Sequence, residues 1–363
     1  MKIGILGSRG IPNHYGGFEQ FVSVLAPMLV SYGEEVWVYN SHNHPFSGKR
    51  WNGVNIIHRY DPEYLIGTAG QFVYDLNCIL DSRRRNFDVL LQLGYTSGSV
   101  WHRFLPKKSK IITNMDGMEW HRSKYSSPVK KFLRLAEKLA INSSHYLVAD
   151  AQPIADYISM SYRRDSTFIA YGAGIPENLS IPGDFEPGGY YLLVARLHPD
   201  NHIEEIIKGV LLSENTFPLV VVGATERGFG RKIKEKYQHI ERIKFLGQVF
   251  DQDRLNSLRA HCRLYFHGHS AGGTNPSLLE AMAAGALICA HDNPFNRSVL
   301  GDNALYFNNL RDIANAVDNE IDPSNRNQFI NNNLEKIRTN YNWELIVKSY
   351  HALFKHSLSN SNY

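Results

Sequence analysis

Residues 267–282 hold the densest chemistry in the sequence: His267-Gly268-His269-Ser270-Ala271-Gly272-Gly273-Thr274-Asn275-Pro276-Ser277-Leu278-Leu279-Glu280-Ala281-Met282. An apolar run ends before it and a helical pattern follows. Asn275 or Thr274 can cap that helix, with Pro276 in its first turn, where a missing N–H costs nothing. The helix start then offers the N–H groups of Ser277 and Leu278 at a dipole end of about +0.5 charge. A diphosphate fits there. Glu280, one turn in, can accept hydrogen bonds from a ribose. The plainer reading makes Glu280 a first-turn acid that complements the dipole, but it leaves the small loop around Gly272 and Gly273 unexplained. If Glu280 holds a ribose, Glu280→Gln is expected to weaken ligand binding while melting stays normal.

A second glycine-rich turn lies near the start: Gly7-Ser8-Arg9-Gly10-Ile11-Pro12, then Asn13-His14-Tyr15-Gly16-Gly17-Phe18-Glu19. Glycines let backbone approach a ligand, and the N–H groups of a helix start attract anions. A tight turn alone explains Gly7 and Gly10. Gly16 and Gly17 at a helix start, with Arg9 nearby, read as anion binding, unless Arg9 pairs with an acid such as Glu19. A dinucleotide site is the rival. However, Gly4, Gly7 and Gly10 lack the G-x-G-x-x-G spacing, and Val38-Tyr39-Asn40 lacks the ribose-binding acid.

Asp116, Glu119 and His121 follow an apolar run, Lys110 to Thr113, that predicts a strand. At a strand's carboxyl end they suit acceptor recognition or catalysis. A structural loop held by turn bonds of Asp116 is the alternative. Asp251-Gln252-Asp253 has the form D-x-D, but a helix cap explains it and no metal is assigned. Residues 127–141 carry Lys130, Lys131, Arg134 and Lys138 among Phe132, Leu133, Leu135 and Leu139. That is a basic amphipathic helix, either a solvated face or a surface that rests on lipid headgroups.

Short apolar runs alternating with helical patterns must position these groups. Strands are predicted over 2–6, 35–39, 54–58, 89–92, 110–113, 146–148 and 167–170, then over 191–195, 219–222, 243–246, 264–266 and 287–290. Helix-length segments lie between most of them, which reads as βα units on mainly parallel sheets. A stretch rich in proline and glycine, 172–189, breaks the series and reads as a linker. Two doubly wound domains with ligands beyond the carboxyl ends of their strands follow.

With 363 residues, 43% hydrophobic and 20% charged, the chain is long enough for two cores. A net charge of +4 is too weak for nucleic acid and compatible with an anionic substrate or membrane surface. Three widely spaced cysteines, Cys78, Cys262 and Cys289, imply a reducing cytoplasm. The opening lacks a signal peptide's apolar stretch, and membrane contact is expected to be peripheral.

The motifs together resemble glycosyltransferase family 4, which has the GT-B architecture: α/β, two Rossmann-like doubly wound domains facing a central cleft. The likeness rests on the opening glycine loop, Tyr191 to Arg196-Leu197, Phe245-Leu246-Gly247, Leu279-Glu280-Ala281-Met282 and Trp343-Glu344. Arg9-Gly10-Ile11-Pro12, Tyr15-Gly16-Gly17-Phe18-Glu19 and Gly272-Gly273-Thr274-Asn275-Pro276-Ser277 are similar to bacterial rhamnosyltransferases of capsule and cell-wall polysaccharide assembly. The resemblance implies an acceptor-side domain at 1–175, a donor domain at 186–342 and a last helix, 343–357, returning to the first. It gives Glu280 the nucleotide ribose, Ser277 and Leu278 the diphosphate by backbone, and Arg196 the diphosphate charge. Gly247 lies against the base, and Gly272, Gly273, Thr274 and Asn275 line the donor loop. Two departures stand out. Where the family has a sugar-reading glutamate, this chain has Gly272, and where it has a lysine after the arginine, this chain has Asn201. Arg9 is the candidate replacement cation.

The implied activity is metal-independent, retaining transfer with Arg196, Glu280 and Asp116 at the chemistry. No cofactor is required beyond the donor, for which dTDP-rhamnose leads. The acceptor is a lipid-diphosphate-linked saccharide at the inner face of the plasma membrane. A UDP- or GDP-sugar enzyme, a non-catalytic assembly partner and a nicotinamide oxidoreductase are the alternatives.

Overall fold

The computed structural model describes residues 1–14, 16–122, 125–177, 179–270, 272–319 and 321–359. The chain divides into two compact units. The first comprises Met1–His121, Tyr125–Tyr171 and Trp343–Tyr363, and the second Gly172–Asn342 with Arg122–Lys124.

The first unit is wound on strands β1 (Lys2–Leu6), β2 (Glu35–Ser41), β3 (Arg50–Trp51), β4 (Val54–Arg59), β5 (Val89–Leu93), β6 (Lys110–Asn114), β7 (Tyr146–Ala149) and β8 (Thr167–Phe168). Their order is β3-β4-β2-β1-β5-β6-β7-β8. All pairs are parallel except β3 with β4. All five residues of β5 are buried, as expected of a strand covered on both faces. Helices α1 (Gly17–Ser31), α2 (Glu63–Ile66), α3 (Ala69–Ser82), α4 (Ser127–Ser143) and α5 (Gln152–Tyr162) connect them.

The second unit has strands β9 (Tyr191–Val194), β10 (Leu219–Val222), β11 (Ile243–Gly247), β12 (Leu264–His267), β13 (Ile288–His291) and β14 (Leu305–Phe307), ordered β11-β10-β9-β12-β13-β14. Every pair is parallel. Its helices are α6 (Ile203–Leu212), α7 (Gly228–Tyr237), α8 (Gln252–His261), α9 (Pro276–Ala283), α10 (Pro294–Leu300), α11 (Leu310–Asp318) and α12 (Pro323–Asn340). Leu193, Val221 and Phe266 of the sheet bury against Ile206, Ile207 and Ile313. The final helix, α13 (Trp343–Ser359), belongs to the first unit, where Tyr350 meets Phe21 of α1 with ring centroids 5.3 Å apart.

Every predicted strand forms, β8 in a shorter version. The elements that escaped the pattern are β3, β14, α2 and α10, the longest of which has seven residues, too few to show a period. Among the described residues, no helix is long and apolar enough to cross a membrane.

Each sheet reverses its strand order once. In the first unit the reversal falls between β1 and β5, and in the second between β9 and β12. The loops beyond the carboxyl ends of those strands open the crevice where wound sheets take ligands.

Candidate functional site

The second unit brings Arg196, after β9, to the loop 268–275, after β12. The two strands run level, with Leu264 opposite Tyr191 and Phe266 opposite Leu193. Arg196 is exposed, and its guanidinium forms no ion pair among the described residues. Its carbonyl accepts the Asn201 Nδ2–H at 2.7 Å and the His198 N–H at 2.8 Å. Asn201 therefore adds no charge but fixes the turn that presents Arg196. The loop passes this turn closely, since a Cβ on Gly268 would sit 2.1 Å from the Asn201 oxygen. Ser270 Oγ donates to the Asp200 carbonyl at 2.7 Å, and Asn293 and Asn296 each donate to the His269 carbonyl at 3.0 Å. The loop is thus tethered on both sides. Gly272 has a φ of +133°, a conformation L side chains rarely adopt, and open space around it. Thr274 is buried, while Ala271 lies outside the described residues.

Asn275 caps α9, as its residue type implies, and the cap corrects the reading of the helix start. Its Oδ1 accepts the Ser277 N–H at 2.9 Å, and its carbonyl accepts the Leu278 N–H at 3.0 Å. Those two N–H groups, expected to face a diphosphate, are taken by the cap. Ser277 Oγ instead pairs with the Tyr265 hydroxyl at 2.7 Å and donates to the Val194 carbonyl at 3.3 Å, tying α9 to β9. Gly247 ends β11 at φ +72°, and its carbonyl accepts the Gly223 N–H at 2.9 Å.

Glu280 has a partner that local sequence did not reveal. Arg259 of α8, only 1% exposed, donates from Nη2 to Glu280 Oε2 at 2.5 Å and from Nη1 to Asn256 Oδ1 at 3.2 Å. The Glu280 side chain is 23% exposed, and its Oε1 accepts no hydrogen bond among the described residues. A buried cation thus holds one carboxylate oxygen and leaves the other without a hydrogen-bond partner among the described residues. Asp251, the D-x-D aspartate, accepts the Asp253 and Arg254 N–H groups at 3.0 and 3.1 Å, which makes it the cap of α8.

In the first unit the charged groups at the reversal are held internally. Arg9 donates from Nε and Nη2 to Glu63 at 2.9 and 2.7 Å, so its guanidinium is engaged rather than held ready for a diphosphate. Its partner is Glu63 and not Glu19, whose buried carboxylate accepts the Arg9 backbone N–H at 2.7 Å. The same Glu19 lies 3.3 Å from where a Gly16 Cβ would stand, so the α1 start at Gly16 and Gly17 already faces an anion. Tyr15 lies outside the described residues. Asp75, buried on α3, accepts the Ser97 hydroxyl at 2.5 Å, and burial pushes its carboxyl up to about 6.

The loop after β6 is built on a second buried acid. Asp116 has φ +51°, and its N–H donates to Asn114 Oδ1 at 2.9 Å, so the turn bond comes from Asn114. The Glu119 N–H donates to the Tyr95 hydroxyl at 3.2 Å, and His121 is exposed. Beneath them Glu137 of α4, 2% exposed, accepts from Tyr162 at 2.6 Å, Tyr157 at 2.7 Å, Trp120 Nε1 at 3.0 Å and Tyr95 at 3.3 Å. The basic amphipathic helix therefore turns an acid inward, while Lys131, Arg134, Lys138, Val129 and Leu135 stay exposed.

Residues 1–174 match a domain of unknown function (DUF1972), and residues 176–336 match the family of glycosyl transferases group 1. An uncharacterized glycosyltransferase of Methanocaldococcus jannaschii is 23% identical over 282 residues, 71% of either chain. Sucrose-phosphate synthase from Thermosynechococcus elongatus superposes with a TM-score of 0.79 at 14% identity, over 99% of this chain and 100% of that one. HepE of Anabaena, in complex with UDP and glucose, gives 0.75 at 16% over 98% and 99%. The two wound sheets thus belong to the GT-B fold. The second unit carries a group 1 glycosyl transferase domain, and the chain is a glycosyltransferase.

Proposed function

We propose that this glycosyltransferase holds a nucleotide-diphosphate sugar at the carboxyl ends of β9 and β12 and transfers the sugar with retention of configuration. The observation that carries the reading is the pairing of two groups at one sheet reversal: an exposed arginine without an ion-pair partner among the described residues and a carboxylate oriented by a buried arginine. Glu280 Oε1 accepts from the ribose hydroxyls. Arg196 neutralises the departing diphosphate, where preorganised charge is worth most. The acceptor hydroxyl attacks from the leaving-group face and passes its proton to a diphosphate oxygen, so no metal and no further cofactor are needed. Gly272, Gly273, Thr274 and Asn275 wrap the sugar, Ser277 and Leu278 keep the α9 start in place, and the backbone at Gly247 faces the base. Asp116, Glu119 and His121 recognise the acceptor. Arg9, engaged by Glu63, has no role in this scheme.

The donor in this reading is dTDP-rhamnose, and the acceptor a lipid-diphosphate-linked saccharide of surface polysaccharide synthesis at the cytoplasmic membrane face. The exposed basic and apolar residues of α4 support contact with anionic lipid. A UDP-sugar is the second reading, favoured by the likeness to HepE in complex with UDP and glucose. A thermal-shift panel of dTDP-rhamnose, UDP-glucose and GDP-mannose tests the donor. A ligand at 100 times its Kd adds about 2.7 kcal/mol to the folded state. Stabilisation by dTDP-rhamnose above the other two is expected, and stabilisation by none of them would overturn the reading.

A further inference from the structure

The rings along β12 mark a recognition group at the loop they lead to. Side chains two residues apart share one face of a strand. Tyr265 and His267 stack with centroids 6.4 Å apart at 22°, and His267 and His269 with centroids 4.5 Å apart at 17°. The Tyr265 hydroxyl is satisfied by Ser277. The imidazoles are not: both ring nitrogens of His267, 1% exposed, and Nδ1 of His269 are buried with no hydrogen-bond partner among the described residues. Buried polar atoms in folded proteins nearly always have partners. Three such atoms in two stacked rings, beneath a loop tethered by Asp200, Asn293 and Asn296, point to a ligand that completes them.

The chemistry of the rings narrows that ligand. Burial, with the charge of His291, pushes His267 down to about 3. Burial, followed by His267 and Arg196, pushes His269 down as well. Both rings are therefore neutral at neutral pH, each with one N–H donor and one acceptor. That pattern matches a hydroxyl, which donates and accepts, better than a phosphate, which only accepts. Arg196 and His269 follow neighbouring strands that run level, and with the diphosphate assigned to Arg196 a hydroxyl at His269 is assigned to the sugar joined to it. Gly272, three residues on, contributes no side chain and has open space around it.

We infer that His269, backed by His267, reads a hydroxyl of the donor sugar. The assignment rests on the nucleotide-sugar reading of the same loop. Calorimetric titration of wild type, His269→Ala and His269→Asn tests it, with dTDP, UDP and GDP alone and with dTDP-rhamnose, UDP-glucose and GDP-mannose as probes. His269→Ala should lose about tenfold or more in affinity for the sugar nucleotide that wild type binds, and His269→Asn should recover part of it. The matching free diphosphate should change by less than about twofold in both, because it makes no contact with the ring. Its retention also reports an intact loop. An equal loss for free and sugar-bearing nucleotide would move the ring to the diphosphate and overturn the proposal. Unchanged affinity for the sugar nucleotide would overturn it too. Wild type that binds none of the six probes would instead overturn the nucleotide-sugar reading, and this assignment with it.

Discussion

In the first unit the charged groups have partners within the chain, Arg9 in Glu63, Asp75 in Ser97, and Glu137 in three tyrosines and a tryptophan, although Ser8 Oγ and Gln92 Nε2 beside the reversal are buried without one among the described residues. At the reversal of the second, Arg196 is exposed, Glu280 keeps one oxygen open, and His267 and His269 hold ring nitrogens without partners among the described residues. The same winding thus produces two kinds of surface. Charged groups held by their own bonded partners make loops rigid and specify their shape. Polar groups held in place but unsatisfied are a prepared binding site, with the cost of orienting them met by the fold. In the proposed scheme the charged ligand binds at the second unit, and the bonded groups of the first unit hold the loop assigned to the acceptor.

The comparison breaks most readily at Arg259. Replacing it by Ala removes one partner of a buried ion pair and should destabilise the second unit by about 3–5 kcal/mol, read as a fall in its melting transition. The same pair alters the expectation for Glu280→Gln. The amide can still accept a hydrogen bond, but it leaves a buried guanidinium without its counter-charge. Donor affinity and melting temperature should therefore fall together, by about 1–3 kcal/mol in binding. Loss of binding with an unchanged melting curve would show that Arg259 does not depend on Glu280.

Glu137→Gln probes the first unit. An amide turns a donor toward hydroxyl and indole groups that need an acceptor, at a cost of about 1–3 kcal/mol. Because Trp120 and Tyr95 hold the Glu119 turn, KM for the acceptor should rise while donor affinity stays constant. A change in donor affinity alone would contradict the division of labour between the units.

A pH dependence of opposite sign distinguishes the two units. Asp75, raised from 3.8 to about 6 by burial, keeps its proton in the folded state where the unfolded chain has lost it. Its contribution to stability therefore falls as pH rises between those values and is level above them. His267, lowered from 6.5 to about 3, does the reverse: the unfolded chain gains a proton that the folded ring refuses, so stability is lost as pH falls below 6.5. Melting curves of Asp75→Asn and His267→Phe, each taken as a difference from wild type, should change with pH in opposite directions between pH 4 and pH 6. Differences with the same slope would mean that at least one group titrates normally.

What the sequence disclosed follows from how far each interaction reaches. The buried strand runs, the Asn275 and Asp251 caps and the glycine loop are set within a few residues, and all were legible. Glu280 stood out in the sequence as an acid one turn into α9, but its partner Arg259 did not, because the two lie 21 residues apart on different helices. Arg9 and Glu63 are 54 residues apart, and the donors to Glu137 come from 17 to 42 residues away. Nothing in a helix periodicity distinguishes an inward acid that four donors will satisfy from one more solvated charge. The same limit concealed the two histidines, since the absence of a partner is a property of the folded loop alone.

In the proposed scheme Arg196, and not Arg9, meets the donor diphosphate. Calorimetric binding of the preferred sugar nucleotide to Arg196→Ala and to Arg9→Ala, each with its melting curve, tests this directly. Loss of a charge-assisted contact is worth about 1.5–3 kcal/mol, so Arg196→Ala should bind roughly tenfold to a hundredfold more weakly, with Arg9→Ala close to wild type. Full affinity in Arg196→Ala, or an equal loss in Arg9→Ala with its fold intact, would contradict the assignment of the donor to the second unit's crevice.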